Sequence, residues 1–214
     1  MTVPDSPDDD SGHFEAAYSL KTNNQTRQHY KSWAKTYDHE VGKVSGYAQP
    51  QRVANVIRDL NADLSCHILD AGCGSGLSGV AMRQLGYDNI DGCDFSPEML
   101  EKSLEKGCYI RLFEANLNEN LPDTPDESYD IVTCVGVFSF GHVFPEACDE
   151  LLRVLRPGGH LIIALNEQYW DKGDLAAKLD KLDADGAINI LDKQFGEHMP
   201  GHQVNGWVIS VVKN

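Results

Sequence analysis

Residues 68–79 contain the pattern that most constrains this chain. A short apolar run ends in Asp70, glycines follow at positions 72, 74 and 76, and an amphipathic segment then begins. Glycine adopts positive φ and has no side chain, so such a turn lets a ligand approach bare backbone. The start of the following helix offers free N–H groups and the positive end of its dipole. The pattern therefore predicts a strand, a tight turn and a helix that bind a nucleotide-like ligand.

Two kinds of ligand fit a turn of this type. Residues 74–79 match the dinucleotide fingerprint G-x-G-x-x-G, which is found in NAD-dependent oxidoreductases. In that fold the strand runs almost directly into the first glycine, whereas Gly72 precedes the match here. Like charges repel at short range, so the carboxylate of Asp70 suits a cationic ligand better than a pyrophosphate. The turn therefore favours a cationic ligand, and binding of NAD remains the alternative.

The order of the later segments supports one resemblance. The turn reads D-x-G-x-G-x-G, which resembles the first motif of the class I S-adenosylmethionine (SAM) methyltransferases, whose cofactor carries a sulfonium and an ammonium group. A short strand that ends in Asp94 follows, and residues 115–122, 128–137 and 151–163 resemble the next segments of this family in the same order. The resemblance covers about residues 28–165.

The resemblance implies an α/β fold with a Rossmann-like, mostly parallel seven-stranded sheet, helices on both faces, an antiparallel last strand and an N-terminal helical lid. The apolar and turn patterns predict strands at 66–70, 89–94, 109–114, 129–137, 159–165, 188–195 and 204–212. They predict helices at 14–20, 25–37, from Pro50 onward, and at 76–85, 97–106, 145–154 and 174–184. We divide the chain into a disordered acidic tail (1–12), the lid (13–62) and the SAM-binding core (63–214).

Residues 30–38 resemble the Y-x-x-W-A-x-x-Y-D opening of a group of small methyltransferases with poorly defined substrates. Tyr30, Trp33 and Tyr37 are spaced to share one helical face. The resemblance implies that this helix closes over the cofactor. In the alternative interpretation the same face packs on the core.

The resemblance also implies further cofactor contacts. The two oxygens of Asp94 would bind two ribose hydroxyls, although an NAD enzyme needs the same acid. Asn116 stands where the family usually has Asp, and it can accept a hydrogen bond from the adenine amino group without bringing charge. The predicted cofactor-binding residues are Tyr30, Trp33, Tyr37, Asp70, Ala71, Gly72, Gly74, Gly76, Asp94, Phe95, Asn116, Leu117 and Val135.

Methyl transfer from a sulfonium is an in-line displacement that depends mainly on alignment and on exclusion of water. No fixed catalytic motif is needed, so a sequence can identify the cofactor without identifying the methyl acceptor. His142 is the candidate general base and His39 the second candidate, because histidine titrates near neutrality; both can also be plain surface residues. We expect the acceptor pocket around Phe138, His142, Tyr169 and Trp170.

Composition limits the partners. The net charge of −15 and the scattered basic residues disfavour nucleic acid. The six cysteines form no C-x-x-C pair, so we expect reduced, buried thiols in a cytoplasmic protein and no metal site. No apolar run approaches the roughly 20 residues that span a bilayer, and no secretory signal is visible, so no membrane contact is expected.

These observations predict a SAM-dependent methyltransferase that acts on a small, neutral or cationic, partly apolar molecule. The first alternative is a SAM-binding sensor or scaffold without transferase activity. The second is an NAD-dependent oxidoreductase, which the carboxylate in the turn disfavours. The sequence leaves the oligomeric state open.

Overall fold

The computed structural model describes residue 13, residues 23–139 and residues 143–214. Seven strands form one sheet, and their bounds are β1 Ile68–Ala71, β2 Ile90–Asp94, β3 Arg111–Glu114, β4 Tyr129–Val135, β5 Leu155–Asn166, β6 Ile188–Met199 and β7 Val204–Lys213. Their order across the sheet is β3-β2-β1-β4-β5-β7-β6. Strand β7 runs antiparallel to both β5 and β6, and the other described pairings are parallel. The predicted fold class is confirmed.

Helices surround the sheet. Their bounds are α1 Asn23–Trp33, a π-helix Asp38–Val44, α2 Gln49–Asp59, α3 Leu77–Gln84, α4 Pro97–Lys106, α5 Ala147–Val154, α6 Glu167–Asp171 and α7 Asp174–Ala184, with a 3₁₀ turn at Pro200–His202. Ser96 begins α4 as the sequence predicts, because its hydroxyl accepts the Met99 N–H at 3.3 Å. In the part of the chain that the structure describes, no helix is both long and apolar enough to cross a bilayer.

The core lies on both faces of the sheet. Along β5, Leu161 and Ile163 belong to one apolar cluster, whereas Ile162 and Ala164 belong to the other. Successive side chains of a strand point to opposite faces, so this alternation requires cover on both sides. Helix α2 contributes to the second cluster, and α5 and α7 contribute to the first. The sheet is therefore a buried middle layer whose strand ends are free to carry a site.

The structure extends or adds several elements. Strand β5 begins at Leu155 rather than 159, because Leu155 pairs with Tyr129 before a register shift accommodates the Pro-Gly-Gly segment. Helix α6 was not predicted; it starts where the Asn166 side chain accepts the Tyr169 N–H at 2.8 Å. The first lid helix ends at Trp33, and a π-helix follows it. The predicted tail and the helix at 14–20 lie outside the described residues. The division at residue 62 stays a prediction.

Candidate functional site

A pocket opens at the carboxyl ends of β1, β2 and β4, where ligands bind in open parallel sheets. The space within it measures about 940 Å³, part of which is open solvent. Eight of the predicted cofactor-binding residues line it, namely Tyr37, Gly72, Gly74, Asp94, Phe95, Asn116, Leu117 and Val135. These eight residues therefore come together at one place.

The glycine turn presents backbone to this pocket. Gly72 (φ +77°) and Gly74 (φ +52°) both adopt the left-handed conformation that favours glycine. Gly74 lines the pocket, and a Cβ there would meet nothing within 4 Å, which means that it would enter open space. A Cβ on Gly72 would lie 2.3 Å from a methyl carbon of Val137. Gly74 therefore keeps the pocket clear, whereas Gly72 allows the turn to pack against the residues after β4.

Asp94 lies at the end of β2 and stabilises the glycine turn by hydrogen bonds. One carboxylate oxygen accepts the Gly74 N–H at 2.8 Å, and the other accepts the Ser96 N–H at 2.9 Å. Burial raises the pKa of Asp94 to about 6, and the two N–H donors oppose that rise. Each carboxylate oxygen has a further lone pair, so Asp94 retains the capacity to accept ligand hydroxyls.

Asp70 lies behind the turn. Its carboxylate is fully buried and accepts hydrogen bonds from Ser78 Oγ (2.7 Å), Tyr109 Oη (2.7 Å) and Thr133 Oγ1 (3.0 Å). Burial raises its pKa, and the three hydroxyl donors oppose the shift. Asp70 does not line the pocket, so its contact with a cationic ligand stays a prediction. The structure shows a second role, because Asp70 joins α3, β4 and the residues before β3.

Ala71 and Gly76 also lie beside the pocket rather than in its wall. Ala71 is fully buried in the sheet. Gly76 is the N-cap of α3 at φ +93°, and a Cβ there would press against Ser103. These two residues shape the turn, and their direct contact with the cofactor stays a prediction.

The aromatic residues of the N-terminal segment take different positions. Tyr37 lines the pocket. Trp33 is buried against Val41 and Met199, and its Nε1–H donates to Glu40 Oε2 at 2.7 Å. Trp33 does not line the pocket, in keeping with the core-packing alternative, and its contact with a cofactor stays a prediction. Tyr30 lies in α1, but its side chain falls outside the described part of the structure.

The side chain of Asn116 helps to form its own turn. Its amide oxygen accepts the Asn118 N–H at 3.1 Å, and its amide nitrogen donates to Glu119 at 2.7 Å. Asn116 and Leu117 both line the pocket, next to Ala115. The carbonyl oxygen keeps one lone pair for a ligand amino group. The predicted adenine contact is therefore compatible with this geometry.

Three of the predicted acceptor residues, Phe138, Tyr169 and Trp170, are not among the residues that line this pocket. Phe138 is fully buried, and Tyr169 is buried with its hydroxyl 3.4 Å from the Val143 carbonyl oxygen. Trp170 packs on Trp207, with ring centroids 5.9 Å apart. Their role around an acceptor therefore stays a prediction.

Of the two candidate bases, His142 lies outside the described residues. His39 is exposed on the π-helix and does not line the pocket. The role of His142 stays a prediction.

Several lining residues were missed from the sequence. Arg27 reaches over from α1, where it forms an ion pair with Glu114 at 3.0 Å and lies 5.5 Å above the Phe95 ring. Tyr47, Leu77, Val137 and Val143 also line the pocket. The four share no motif that could have marked them. Within the described ranges, no group of three or more His, Cys, Asp or Glu side chains could hold a metal ion.

This fold, together with a glycine turn and an acid on the next strand, defines the class I SAM-dependent methyltransferases, and comparison with known proteins shows that the chain belongs to them. The methyltransferase domain family matches residues 69–163. Human methyltransferase-like protein 27 is 33% identical over 178 residues, which is 80% of this chain and 71% of that protein. The phosphatidylethanolamine N-methyltransferase of Cereibacter sphaeroides is 35% identical over 155 residues, 69% of this chain and 70% of that protein. SAM is therefore the cofactor.

Solved structures share the fold at low identity. A putative SAM-dependent methyltransferase from Methanococcus maripaludis aligns with a TM-score of 0.65 and 19% identity over 86% of this chain and 93% of that one. The [4+2]-cyclase SpnF aligns with a TM-score of 0.68 and 17% identity over 91% of this chain and 97% of that one. The fold therefore hosts more than one kind of reaction, and the reaction of this chain has to be argued from its own site.

Proposed function

We propose that the protein transfers the methyl group of SAM to a small, partly apolar molecule in the pocket at the carboxyl edge of the sheet. The observation that carries the proposal is the composition of that pocket. Its lining includes the glycine turn and Asp94, and also the larger side chains of Tyr47, Val137 and Val143. The pocket therefore combines polar groups that suit a nucleoside with apolar side chains that suit a small molecule with little charge.

The residues present fit SAM. The open space above Gly74 gives a ligand access to bare backbone, and the Asp94 carboxylate is aimed at that turn. In the proposed arrangement Asp94 binds the ribose hydroxyls, and Asn116 and Leu117 bind the adenine. The bound cofactor supplies an electrophilic methyl group. The protein then has to orient the acceptor and exclude water, and we assign both tasks to Tyr37 and Tyr47, which line the pocket.

The acceptor needs little help from a base in this proposal. The titratable side chains among the described pocket residues are Arg27, Tyr37, Tyr47, Cys73 and Asp94, and none of them is a histidine. Alignment behind the methyl group is therefore the main contribution of the described residues. His142, in the turn after β4, remains the candidate base for an acceptor that must lose a proton.

The names of two relatives support a small acceptor. A ubiquinone biosynthesis O-methyltransferase of Aliivibrio fischeri is 29% identical over 54% of this chain and 50% of its own length. The magnesium protoporphyrin IX methyltransferase of Synechocystis, solved with S-adenosylhomocysteine (SAH), shares the fold with a TM-score of 0.58 and 18% identity over 77% of this chain and 83% of its own. We also propose a reducing compartment such as the cytoplasm, because all six cysteines are buried free thiols.

The test is a transfer assay with isotopically labelled SAM. The protein is incubated with a small-metabolite extract, with DNA and with RNA in separate reactions, and labelled products are separated and identified by mass. We expect label in one or a few small molecules and none in nucleic acid. The Asp94→Ala variant is the control for background transfer. Robust labelling of nucleic acid would refute the small-molecule proposal. SAH binding without transfer to any metabolite would favour the sensor alternative.

A further inference from the structure

Asp38 connects the N-terminal segment to the glycine turn. It is the first residue of the π-helix, and its carboxylate accepts a hydrogen bond from the hydroxyl of Ser75, which lies between Gly74 and Gly76. Ser75 is buried and lines the pocket. The contact therefore joins a residue outside the sheet to the centre of the turn, 37 positions further along the chain.

Lys106 completes the cluster. Its ammonium group donates to Asp38 Oδ2 at 2.5 Å and to the carbonyl oxygen of Ser75 at 2.5 Å. The Lys106 side chain is 19% exposed and the Asp38 side chain is 42% exposed, so this ion pair is partly shielded from water. Asp38 and Lys106 together hold both the hydroxyl and the carbonyl of Ser75. Two polar groups of one turn residue are thus oriented by charged partners from two separate helices.

The opposite end of the same segment is attached elsewhere. The Ala48 N–H donates to the carbonyl oxygen of His198 at 2.9 Å, and the Gly201 N–H donates to the carbonyl oxygen of Ser45 at 3.0 Å. These backbone bonds hold residues 45–48 on the connection between β6 and β7. The Asp38 end depends on side chains instead. The contact of this segment with the turn therefore depends on the Asp38 side chain.

We propose that Asp38 is a positioning residue that holds the glycine turn, through Ser75, in the form that accepts SAM. The inference rests on the proposed placement of the cofactor in this pocket. A turn that is already ordered loses less conformational freedom when a ligand binds, so its affinity is higher. Asp38 does not line the pocket, and its effect on affinity therefore passes through the turn.

The test is a double-variant cycle read out as SAH affinity by titration calorimetry. If Asp38 acts through Ser75, then Asp38→Ala and Ser75→Ala each remove the same interaction. We expect each single variant to weaken SAH binding about tenfold, and the double variant to weaken it by little more than either one. A loss of about a hundredfold in the double variant would mean independent effects and would overturn the inference. An unchanged affinity in Asp38→Ala would do the same.

Lys31→Ala is the matched control. Lys31 also connects the N-terminal segment to α4, through an ion pair with Glu98 at 3.2 Å, but this pair does not touch the turn. We expect less than a twofold change in SAH affinity, because an exposed pair contributes little. An equal loss of SAH affinity in Lys31→Ala and Asp38→Ala would show that affinity depends on general anchoring of the N-terminal segment and not on the position of the turn. That result would overturn the inference.

Thermal unfolding without ligand separates positioning from simple destabilisation. If Asp38→Ala does not fold, Asp38→Asn keeps its size and an oxygen for Ser75 but loses the charge opposite Lys106, and it enters the same cycle. If an Asp38 variant has a lower melting temperature but unchanged SAH affinity, then Asp38 has a structural role only, and the inference is overturned. Failure of the unmodified protein to bind SAH would refute the proposed cofactor placement as well, whereas failure of the coupling alone would leave that placement standing.

Discussion

Alanine substitutions at Gly72 and Gly74 should separate the two roles of the glycine turn. Both glycines have positive φ, so each substitution carries a backbone cost of roughly 1–2 kcal/mol. At Gly72 the new Cβ would also lie 2.3 Å from a Val137 methyl carbon, and such overpacking costs about 1–3 kcal/mol more. We therefore expect Gly72→Ala to lower the free energy of unfolding by roughly 2–5 kcal/mol and Gly74→Ala by roughly 1–2 kcal/mol.

For ligand binding we expect the opposite order. Among folded molecules, Gly74→Ala should weaken SAH binding more than Gly72→Ala does. Gly74 lines the pocket and nothing lies within 4 Å of a Cβ there, so we expect the added methyl group to take space that the ligand needs. We expect Gly74→Ala to weaken SAH binding at least tenfold, about 1.4 kcal/mol, while the fold survives. Urea unfolding gives the stability, and titration calorimetry gives the affinity.

Gly186→Ala is the matched control for the backbone cost. Gly186 follows α7, has φ +73°, and a Cβ there would also meet nothing within 4 Å. It does not line the pocket. Its stability loss should therefore resemble that of Gly74→Ala, with no change in SAH affinity. The reasoning fails if Gly72→Ala is no more destabilising than Gly186→Ala, or if Gly74→Ala binds SAH as well as the unmodified protein.

The double variant Gly72→Ala/Val137→Ala isolates the steric part. Removing the Val137 methyl groups should relieve the overpacking, so the double variant should be more stable than the sum of the two single losses by about 1–3 kcal/mol. Additive losses would mean that the turn, rather than Val137, accommodates the new methyl group.

Four further measurements test the site and its surroundings. Asp94→Ala should weaken SAH binding at least about tenfold with the fold retained, because charge-assisted hydrogen bonds contribute roughly 1.5–3 kcal/mol each. An unchanged affinity would mean that Asp94 only stabilises the glycine turn. Because the pKa of Asp94 is raised to about 6, its protonated form is favoured in the folded protein, so its contribution to stability is present below its ordinary pKa and is lost as pH rises through 6. SAH affinity should show the opposite trend and fall from pH 7 to pH 5, and a flat profile by calorimetry would contradict the ribose contact. Burial and the nearby Arg52 lower the pKa of His198 to about 4, so the protein should lose up to about 3 kcal/mol as pH falls from 6.5 to 4; His198→Gln, which can still face Gln49, should flatten that slope in urea unfolding. Hydrogen exchange across residues 23–44 should slow when SAH binds, and equal rates with and without SAH would favour a plain packing role for this segment.

Local patterns in the sequence determined the class of protein and the main parts of the cofactor site. The glycine turn, the acid at the end of β2 and the N-cap of α4 lie within 30 residues, and each depends on short-range backbone chemistry. The apolar runs placed the strands and the principal helices, because burial on both faces requires them. The order of the motifs along the chain identified the family, because motifs that are weakly specific individually become specific when they occur together in this order.

Only the tertiary structure decided which side chains face the ligand and which support it. Asp70 was expected in the pocket, yet it receives three hydroxyls from separate elements and lies behind the turn. Tyr37 reaches the pocket, whereas Trp33 packs four positions earlier on the same segment. The contact between Asp38 and Ser75 joins residues that no periodicity relates. Such assignments depend on how packed elements meet in space, and a pattern along the chain records only the spacing within each element.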